Sequence, residues 1–424
     1  MEKKMLIPCL YLKDGKLYDD FTDVNEISDD PVGYAVDCSN SGADMLIIFD
    51  QSYDDDSHEE SLHLMRMINK SIDIPVIGAG NIKRVEDVKK IIYAGCKCAA
   101  LNLAKQGNID LIEEVSKRFD KNKIFVCADA AEQVLQSIDL IREYTTGVLL
   151  LDDNLTDSYR GLKIIPVSST GNEEKLFNIL KNDCVAGISG KYVNDNKGNL
   201  LGIKRELHDK GINTCIFESP FSFSDFKTNS DGHVTVVVQD NKTGEVLMVA
   251  YMNEEAYLKT IETGIMTYYS RSRNELWVKG KTSGHYQYVK SLTADCDMDT
   301  ILAKVTQIGN ACHTGSYSCF FNEIIKNESE DVNPLKVLEN VYAVIMDRKN
   351  NPKEGSYTNY LFDKGIDKIL KKVGEEATEI VIAAKNPDKE EVKYEISDFL
   401  YHVMVLMAEC GLDWTDIVKE LANR

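Results

Sequence analysis

At 424 residues the chain is too long for one ordinary hydrophobic core, so about two to four domains are expected. A formal net charge of −20 argues against a nucleic-acid-binding protein, because phosphates are repelled wherever Lys and Arg are not concentrated. A small phosphorylated substrate stays compatible with this charge, since a local basic pocket or a bound Mg²⁺ can offset it. No apolar run approaches the roughly 20 residues of a membrane span, and the N-terminus lacks the cleavage site of a secretory signal. With 11 cysteines in so large a chain no disulfide framework is expected, which favours a cytoplasmic protein.

The first segment, residues 1–217, alternates short apolar runs with amphipathic stretches. Helical periodicity is seen at Leu62–Asn69, Val85–Tyr93 and Leu111–Phe119. Strands that alternate with helices predict a parallel sheet, and eight of them suggest a closed (β/α)₈ barrel. After the sixth strand, Asp152–Lys163 is too short and polar to hold a full helix. The strand candidates are Met5–Leu12, Met45–Phe49, Pro75–Ile77, Cys98–Leu101, Ile124–Cys127, Val148–Leu151, Ile164–Val167 and Val185–Ile188.

The second segment follows Ser222–Gly232, a polar stretch with aromatic residues that is typical of a linker. His233–Gln239 and Val246–Tyr251 flank a turn-rich connection, which predicts a β-hairpin. A helix is predicted at Asn253–Thr263, with Asn253 as its N-cap. We therefore expect a mixed α+β domain, whose further strands are Met266–Ser270, Leu276–Lys279 and Tyr286–Leu292.

The third segment follows a charged linker, Ile325–Asn333, and is helical throughout. One apolar face combines Ile396, Phe399, Leu400, Val403 and Met407, and another combines Ile369, Val373, Ile380 and Ala384. This pattern predicts a short all-α unit of four or five helices. Such a unit buries little core alone, so we expect it to dimerise.

Aspartates and cysteines interleave in the second segment. Asp295, Asp297 and Asp299 alternate, so an extended or sharply turning backbone lets all three carboxylates point the same way, which suits Mg²⁺. Cys296, Cys312 and Cys319 supply three thiolates, and a fourth position left open is the arrangement of a catalytic zinc site. The spacing alone leaves two plainer alternatives open, namely buried small hydrophobic residues for the cysteines and a solvated turn for the aspartates.

Long motifs in this segment resemble those of phosphoribosyl-AMP cyclohydrolase in order and spacing. They are Ser270–Arg273, Leu276–His285, Asp295–Asp299 and Ala311–Phe320. The resemblance implies that Asp295, Asp297 and Asp299 bind Mg²⁺. It further implies that Cys296, Cys312 and Cys319 bind Zn²⁺, in a site shared across a homodimer interface.

The activity implied by this resemblance is opening of the adenine ring at N1–C6 by zinc-bound hydroxide. His285 and His313 are the candidate catalytic auxiliaries, which shuttle a proton or orient water. The candidates for gripping the phosphate and ribose of the substrate are Arg271, Arg273, Lys279, Lys281 and Ser283. For the four cations, a solvated strand surface is the plainer alternative.

Carboxylates recur at helical spacing in the third segment. Glu376 and Glu379 share one helix face, and Glu395 and Asp398 repeat the spacing on the next predicted helix. Two facing pairs make an oxygen cage for one or two Mg²⁺ ions, as hydrolysis of a triphosphate needs. Acidic residues on helices are usually just solvated. Against that reading, Glu395 and Asp398 adjoin an apolar stripe, where a carboxylate is costly unless it meets a cation.

The Glu-x-x-Glu … Glu-x-x-Asp pattern resembles the all-α nucleoside-triphosphate pyrophosphohydrolases. Within that group, Arg348-Lys349, Gly355–Thr358, Lys372–Glu379 and Asp398–His402 resemble phosphoribosyl-ATP pyrophosphatase. The resemblance implies hydrolysis between the α- and β-phosphates of phosphoribosyl-ATP. It assigns Glu376, Glu379, Glu395 and Asp398 to Mg²⁺, Glu375 to an extra ligand or base, and Arg348, Lys349, Ser356 and Lys372 to phosphates.

The first segment resembles the histidine-biosynthetic (β/α)₈ barrels, most closely the cyclase subunit of imidazole glycerol phosphate synthase. The matching residues are Leu6–Gly15, Gly42–Asp44, Ile74–Ile82 and Val126–Ala130. The family's first catalytic aspartate falls at Tyr11, whereas the second is kept as Asp129. The phosphate-binding glycine turns are only partly kept, at Ser168–Gly171 and Ser189-Gly190. We therefore favour a degenerate barrel with a scaffolding or regulatory role over an active cyclase, with a bound phosphosugar left open.

Taken together, the sequence predicts a degenerate barrel at 1–221, a cyclohydrolase at 228–322 and a pyrophosphatase at 333–424. The product of the last domain is the substrate of the middle one, so the two implied reactions are consecutive. Two alternatives of different classes explain less. A general nucleotide pyrophosphatase has no need of the cyclohydrolase motifs, and a purely structural protein would tolerate loss of metal ligands, of which none is lost.

Overall fold

The computed structural model describes residues 3–22, 24–153, 155–156, 159, 161–325, 334–386 and 389–422. The chain divides into two compact units between Glu323 and Ile324. The predicted linker Ile325–Asn333 lies almost entirely outside the described residues. In the described part of the chain, no helix is long and apolar enough to cross a membrane. All eleven cysteines fall in that part and are free thiols.

The first unit begins with a sheet whose strands alternate with helices. Its strands are β1 Met5–Ile7, β2 Cys9–Lys13, β3 Lys16–Tyr18, β4 Glu26–Ser28, β5 Leu46–Asp50, β6 Val76–Ala79, β7 Cys98–Asn102, β8 Ile124–Ala128, β9 Gly147–Leu150, β10 Ile164–Ser168 and β11 Gly187–Gly190. Its helices are α1 Pro31–Asn40, α2 Asp55–Ser71, α3 Val85–Tyr93, α4 Gln106–Phe119, α5 Ala131–Gln136, α6 Ile138–Tyr144, α7 Glu173–Leu180, α8 Lys191–Asp195 and α9 Leu200–Asp209.

The sheet closes on itself through its first extended segment. β1 pairs in parallel with β11, and β2, which follows after Pro8, pairs in parallel with β5. The remaining neighbours run in parallel from β5 to β11 in chain order. Each of the eight predicted strands is present, which confirms the barrel. The first is split at Pro8 because proline has no N–H to donate to a neighbouring strand.

Residues along each barrel strand alternate between two cores. On β5, Ile47 and Phe49 point into the barrel interior, whereas Leu46 and Ile48 pack under the surrounding helices. Between β9 and β10 the described residues contain no α-helix, as the polar segment Asp152–Lys163 predicts. The described residues therefore complete the barrel in its strands and show no outer helix at this position.

A second sheet follows the barrel within the same unit. Its four strands are β12 Val234–Asp240, β13 Val246–Met252, β16 Gln287–Ala294 and β17 Thr300–Gln307. Between β13 and β16 the chain forms α10 Glu254–Thr263 and a separate two-stranded sheet of β14 Thr267–Ser270 and β15 Glu275–Val278. The predicted hairpin forms between β12 and β13, and the Asn253 side chain caps α10 by accepting from the Ala256 N–H. β17, which the sequence analysis did not identify, lies between β12 and β16 and runs parallel to β12.

The predicted linker Ser222–Gly232 connects the barrel to the second sheet and packs partly on that sheet. Phe226 is 9% exposed and belongs to the hydrophobic core of the second sheet, where its ring meets Tyr257 edge-on at 5.4 Å. Burying an aromatic ring outweighs the polar composition of its neighbours.

The second unit is helical, as predicted. It consists of α11 Pro334–Asn350, α12 Tyr357–Lys364, α13 Ile366–Ala383, α14 Lys389–Glu409 and α15 Trp414–Ala422. The α12 N-terminus is capped by the Ser356 side chain, which accepts from the Asn359 N–H. The buried core is small and includes Leu361, Ile369 and Val405.

Candidate active sites

The three alternating aspartates occupy the turn between β16 and β17. One carboxylate oxygen from each of Asp295, Asp297 and Asp299 lies within 4.8 Å of the others, and all three side chains are exposed. Asp295 Oδ1 accepts from the backbone N–H groups of Asp299 at 3.1 Å and Thr300 at 3.2 Å. Desolvation opposes the charged form, but these N–H groups outweigh it and hold the pKa of Asp295 below its ordinary value. This turn, here called the aspartate loop, converges carboxylates in the way that a hard cation requires.

Two of the three predicted zinc-binding cysteines lie together after β17. The Cys312 thiol lies 3.1 Å from Thr314 Oγ1. Hydrogen bonds from Thr314, contact with the Cys319 thiol and the nearby Lys279 ammonium lower the pKa of Cys312. A lowered pKa favours the thiolate, which is the form of cysteine that binds a metal or acts as a nucleophile. The Cys319 N–H donates to the Leu247 carbonyl at 2.7 Å, which fixes this loop to the start of β13.

Cys296 does not join this pair within the chain. It lies in the aspartate loop, where its Sγ is 4.0 Å from Asp297 Oδ1. Thr300, at the start of β17, pairs with Thr235 on β12, whereas Lys304 pairs with Gln239 at the level where Cys319 meets β13. The four residue steps from one pair to the other span about 13 Å along the sheet. The described residues of one chain therefore bring together two of the predicted zinc ligands and hold the third at the opposite end of the sheet.

The predicted substrate-binding cations have unequal surroundings. Arg271 stacks on the Tyr251 ring at 3.8 Å, and Arg273 pairs with Glu275 at 3.3 Å. Lys281 is exposed, whereas Lys279 is 6% exposed and donates to the Ala311 carbonyl. Burial lowers the pKa of Lys279, and the two thiols of Cys312 and Cys319 act in the other direction. Lys279 therefore faces the cysteine pair, and its hydrogen bond goes to Ala311, the residue just before Cys312.

The predicted auxiliaries in this unit lie on neighbouring turns. His285 packs against Gly309, whose added Cβ would come within 2.6 Å of the imidazole ring. The Ser283 hydroxyl accepts from the His285 N–H at 3.2 Å, so it stabilises that turn. His313 is exposed beside Cys312.

In the helical unit, carboxylates from two helices converge. One oxygen from each of Glu376, Glu379 and Glu395 lies within 4.8 Å of the others, and Glu376 is buried. Desolvation, together with Glu376 and Glu395, raises the pKa of Glu379. Like charges this close are unfavourable without a cation. Asp398 is exposed and is not in this group, and Glu375 instead pairs with Lys372 at 3.3 Å.

Predicted phosphate-binding groups of this unit have protein partners. Lys372 lies 3.4 Å from Glu376, beside the carboxylate group. Lys349 donates to the Ala408 carbonyl at 2.8 Å and pairs with Glu409. Arg348 pairs with Asp347, and Ser356 is the α12 cap described above. In this conformation, Lys372 alone among these four contacts the carboxylates.

One buried residue in this region was missed by the sequence analysis as a site residue. His402 Nδ1 lies 2.8 Å from the Asp398 carbonyl and 3.7 Å from Glu376 Oε1. Its Nε2 lies 3.0 Å from the Tyr357 hydroxyl. The residue ends the Asp398–His402 motif, so its position four residues after Asp398 on a helix was the available signal.

At the carboxyl end of the barrel, an aromatic residue divides the mouth. The Phe21 ring, between β3 and β4, meets Tyr11 edge-on at 4.7 Å and Phe49 at 5.0 Å. Phe21 and Leu151 line both of two cavities, of about 320 and 370 Å³; Tyr11 lines the first and Asp129 the second. Burial raises the pKa of the Tyr11 phenol, which therefore stays neutral.

Comparison with known families gives three matches along the chain. Residues 5–149 match the model described as Histidine biosynthesis protein. Residues 248–321 match Phosphoribosyl-AMP cyclohydrolase, and residues 338–424 match Phosphoribosyl-ATP pyrophosphohydrolase. The aspartate loop and the cysteine pair fall within the second match, and the glutamate cluster falls within the third.

Several curated proteins resemble about half of the chain over nearly their whole length. The Histidine biosynthesis bifunctional protein HisIE of Thermoanaerobacter pseudethanolicus is 53% identical over 209 residues, which are 46% of this chain and 97% of that protein. The protein of the same name from Caldanaerobacter subterraneus is 52% identical over 47% of this chain and 96% of its own length. The Bacillus subtilis protein is 48% identical over 47% of this chain and 95% of its own length.

Proposed function

Because the chain belongs to the family of bifunctional histidine biosynthesis proteins HisIE, and is thus a bifunctional hydrolase, we propose how its residues divide the two reactions. In this proposal, residues 333–424 hydrolyse phosphoribosyl-ATP to phosphoribosyl-AMP and pyrophosphate. Residues 228–322 then open the adenine ring of phosphoribosyl-AMP between N1 and C6. Residues 1–221 form a barrel without catalytic activity.

The pyrophosphatase site is proposed at the glutamate cluster. Glu376, Glu379 and Glu395 would hold Mg²⁺, which when bound neutralises phosphate charge and lowers the pKa of a water. The unfavourable crowding of these carboxylates supports a resident cation. Asp398 completes the proposed ligand set after a side-chain rotation toward the cluster, and Lys372 supplies positive charge to the phosphates. Glu375, which immediately precedes Glu376 in the chain, is the proposed base.

The cyclohydrolase site is proposed at the cysteine pair. Cys312 and Cys319 would hold Zn²⁺, and the lowered pKa of Cys312 fits the thiolate that zinc prefers. When bound, zinc supplies a water of lowered pKa as the nucleophile at C6. His313, exposed beside Cys312, holds or passes the proton, and His285 assists from the neighbouring turn.

The third zinc ligand is proposed to come from a second copy of the chain. The separation of Cys296 from Cys312 and Cys319 along the sheet is the observation that supports this. In a two-fold dimer, Cys296 of each copy would complete the cysteine pair of the other, so that each dimer carries two sites. Asp295, Asp297 and Asp299 of the aspartate loop would hold Mg²⁺, which would supply positive charge to the phosphate of the substrate.

Exposed apolar side chains on the helical unit favour self-association there as well. Val381 is 62% exposed and Ile382 is 57% exposed near the end of α13, and Ile396 is 42% exposed on α14. Adjacent exposed aliphatic residues on a small all-α unit are typical of a subunit interface. We propose a homodimer in which both hydrolase units meet their copies.

The barrel is proposed to be non-catalytic because it lacks one carboxylate and has a divided mouth. Tyr11 is neutral and cannot replace an aspartate as acid or base, while Phe21 lines both the cavity that contains Tyr11 and the cavity that contains Asp129. A substrate that contacts both positions would have to extend across both cavities, past the Phe21 ring.

The assignment of two active sites rests on one observation. Carboxylates converge in two clusters, and each cluster lies inside a different family match. The direct test supplies phosphoribosyl-AMP to variants of the full chain. Glu379→Gln should open the ring at the rate of the unmodified protein, and Cys312→Ala should not. Ring opening by Cys312→Ala would remove the cysteine pair from the mechanism.

A further inference from the structure

The connection between the barrel and the second sheet is anchored at its start. The segment Phe217–Lys227, here called the strap, follows the barrel. Arg205 of α9 donates to the Phe217 carbonyl at 3.0 Å and to the Glu262 carbonyl at 2.9 Å. The last carbonyls of a helix have no partner within it, so the guanidinium caps the end of α10 while it holds the strap. Arg205, a residue of the barrel, therefore fixes both the end of α10 and the start of the strap.

The middle of the strap packs on the same helix. The Tyr257 hydroxyl of α10 lies 2.7 Å from Ser219 Oγ and donates to the Phe221 carbonyl at 3.2 Å. Phe226 is buried against the Tyr257 ring. The strap is therefore held by polar contacts and by a buried ring along its whole course.

The strap ends on the aspartate loop. The Lys227 N–H donates to the Met298 carbonyl at 2.7 Å, and Lys227 Nζ is 3.9 Å from Asp297 Oδ2. Met298 has φ +64°, in the left-handed region that a residue with a Cβ enters only when its surroundings hold it there. It lies between Asp297 and Asp299, so its conformation sets the directions of two carboxylates.

We propose that the strap is a positioning element that holds Met298 in its left-handed conformation and thereby preorganises the aspartate loop for a divalent cation. The barrel then acts on the cyclohydrolase site as the anchor of the strap, through Arg205. This inference rests on the proposed metal-binding role of Asp295, Asp297 and Asp299. A strap that only stabilises the fold would change the melting temperature without changing metal affinity.

The test measures Mn²⁺ binding to the metal-free full-length protein by the electron paramagnetic resonance of free Mn²⁺. Lys227→Pro removes the donor N–H, and Lys227→Ala keeps it while removing the ammonium. Loss of one hydrogen bond of ordinary net strength predicts about three- to tenfold weaker Mn²⁺ binding at the loop for Lys227→Pro. Lys227→Ala should stay within about twofold of the unmodified protein, because its ammonium is exposed.

Two further variants keep the proposal open to refutation. Glycine adopts positive φ freely, so in a Met298→Gly background Lys227→Pro should cost less affinity than in the unmodified chain. Arg205→Ala leaves the loop sequence intact and should weaken Mn²⁺ in the same direction. If Lys227→Pro does not fold, the Arg205→Ala variant provides the test. Unchanged Mn²⁺ affinity in a folded Arg205→Ala protein would overturn the inference. Unchanged Mn²⁺ affinity in a folded Lys227→Pro protein would also overturn it.

The same titration separates this inference from the function on which it rests. Asp297→Asn should abolish the loop component of Mn²⁺ binding; if it does not, the proposed metal site is wrong. If it does and the strap variants bind normally, only the strap proposal is wrong. In ring-opening assays, Lys227→Pro should raise the Mg²⁺ concentration for half-maximal rate while kcat at saturating Mg²⁺ stays within about twofold, a split that general destabilisation does not produce.

Discussion

Lys279 donates from its buried ammonium to the carbonyl of Ala311 at 2.6 Å, and Ala311 immediately precedes Cys312. A single cation thus fixes the backbone of the cysteine loop and places positive charge beside two thiols. Burying an ammonium is costly unless it is paired, and the pKa of Lys279 is lowered by that burial. The cost is offset once the neighbouring thiols become thiolates on binding a metal.

We expect Lys279→Met to impair the cyclohydrolase site specifically. The variant leaves the buried Ala311 carbonyl without its donor, which costs about 1–3 kcal/mol, and removes the charge that favours thiolate. Zinc should be released to a chelator at least about tenfold faster, with ring opening reduced and pyrophosphate release unchanged. Lys281→Met, two residues away and exposed, is the matched control for zinc retention. Equal zinc retention in both variants would show that Lys279 has no part in the site.

A shared zinc site predicts complementation between inactive variants. Cys296→Ala and Cys312→Ala should each lack ring opening. When the two chains are refolded together, half of the dimers are mixed by random pairing, and one of the two sites in each mixed dimer has all three cysteines. Ring opening should therefore recover to about a quarter of the unmodified rate. Recovery should be absent if all three ligands come from one chain, and pyrophosphate release should be normal in every sample.

The raised pKa of Glu379 predicts a stability that depends on pH and metal. Its carboxylate is harder to ionise in the folded protein than in the unfolded chain, so ionisation above the folded pKa destabilises the metal-free fold. Glu379→Gln should melt at a higher temperature than the unmodified protein at pH 8 without Mg²⁺. This difference should shrink as the pH falls, because the unmodified carboxyl then becomes protonated.

The same variant should lose pyrophosphatase activity and should lose the stabilisation that Mg²⁺ gives the unmodified protein. Glu354→Gln, on an exposed turn, is the matched control and should change none of these quantities. A lower melting temperature for Glu379→Gln at pH 8 would contradict the crowding of carboxylates inferred for this cluster.

The barrel is expected to contribute no reaction of its own. Full-length protein supplied with ammonia and the substrate of the cyclase family should form no imidazole glycerol phosphate. Asp129→Asn should leave both hydrolase rates and the melting temperature unchanged, because Asp129 is exposed at the mouth. Cyclase turnover that disappears in Asp129→Asn would overturn the proposal of a non-catalytic barrel.

The sequence predicted the elements best where side-chain periodicity repeats. The eight parallel segments of the barrel and the capped helix after Asn253 follow from apolar runs and local capping, which are short-range properties. The short strands β3 and β4 were not predicted. The glutamate cluster was also predictable in part, since i, i+3 spacing places Glu376 and Glu379 on one face. Asp398 shares that spacing with Glu395, but its side chain is exposed and lies outside the cluster.

Sequence spacing could not predict which distant residues meet. β17 was missed, and only its pairing with β12 reveals that Cys296 and Cys319 lie at opposite ends of one sheet. Likewise, the polar composition of Ser222–Gly232 conceals the burial of Phe226, and nothing local to Phe21 indicates that its ring divides the barrel mouth. These features depend on long-range packing, which composition and periodicity do not encode.

The measurement that tests the central claim most directly is a two-step assay on the full-length protein. Phosphoribosyl-ATP is supplied with Mg²⁺ and Zn²⁺, and pyrophosphate and the ring-opened product are followed together. The account predicts that both appear, that Cys312→Ala abolishes only ring opening, and that Glu379→Gln abolishes both because the second substrate is no longer made. Pyrophosphate without ring opening in the unmodified protein would contradict the cyclohydrolase assignment, and the absence of both products would contradict the whole account.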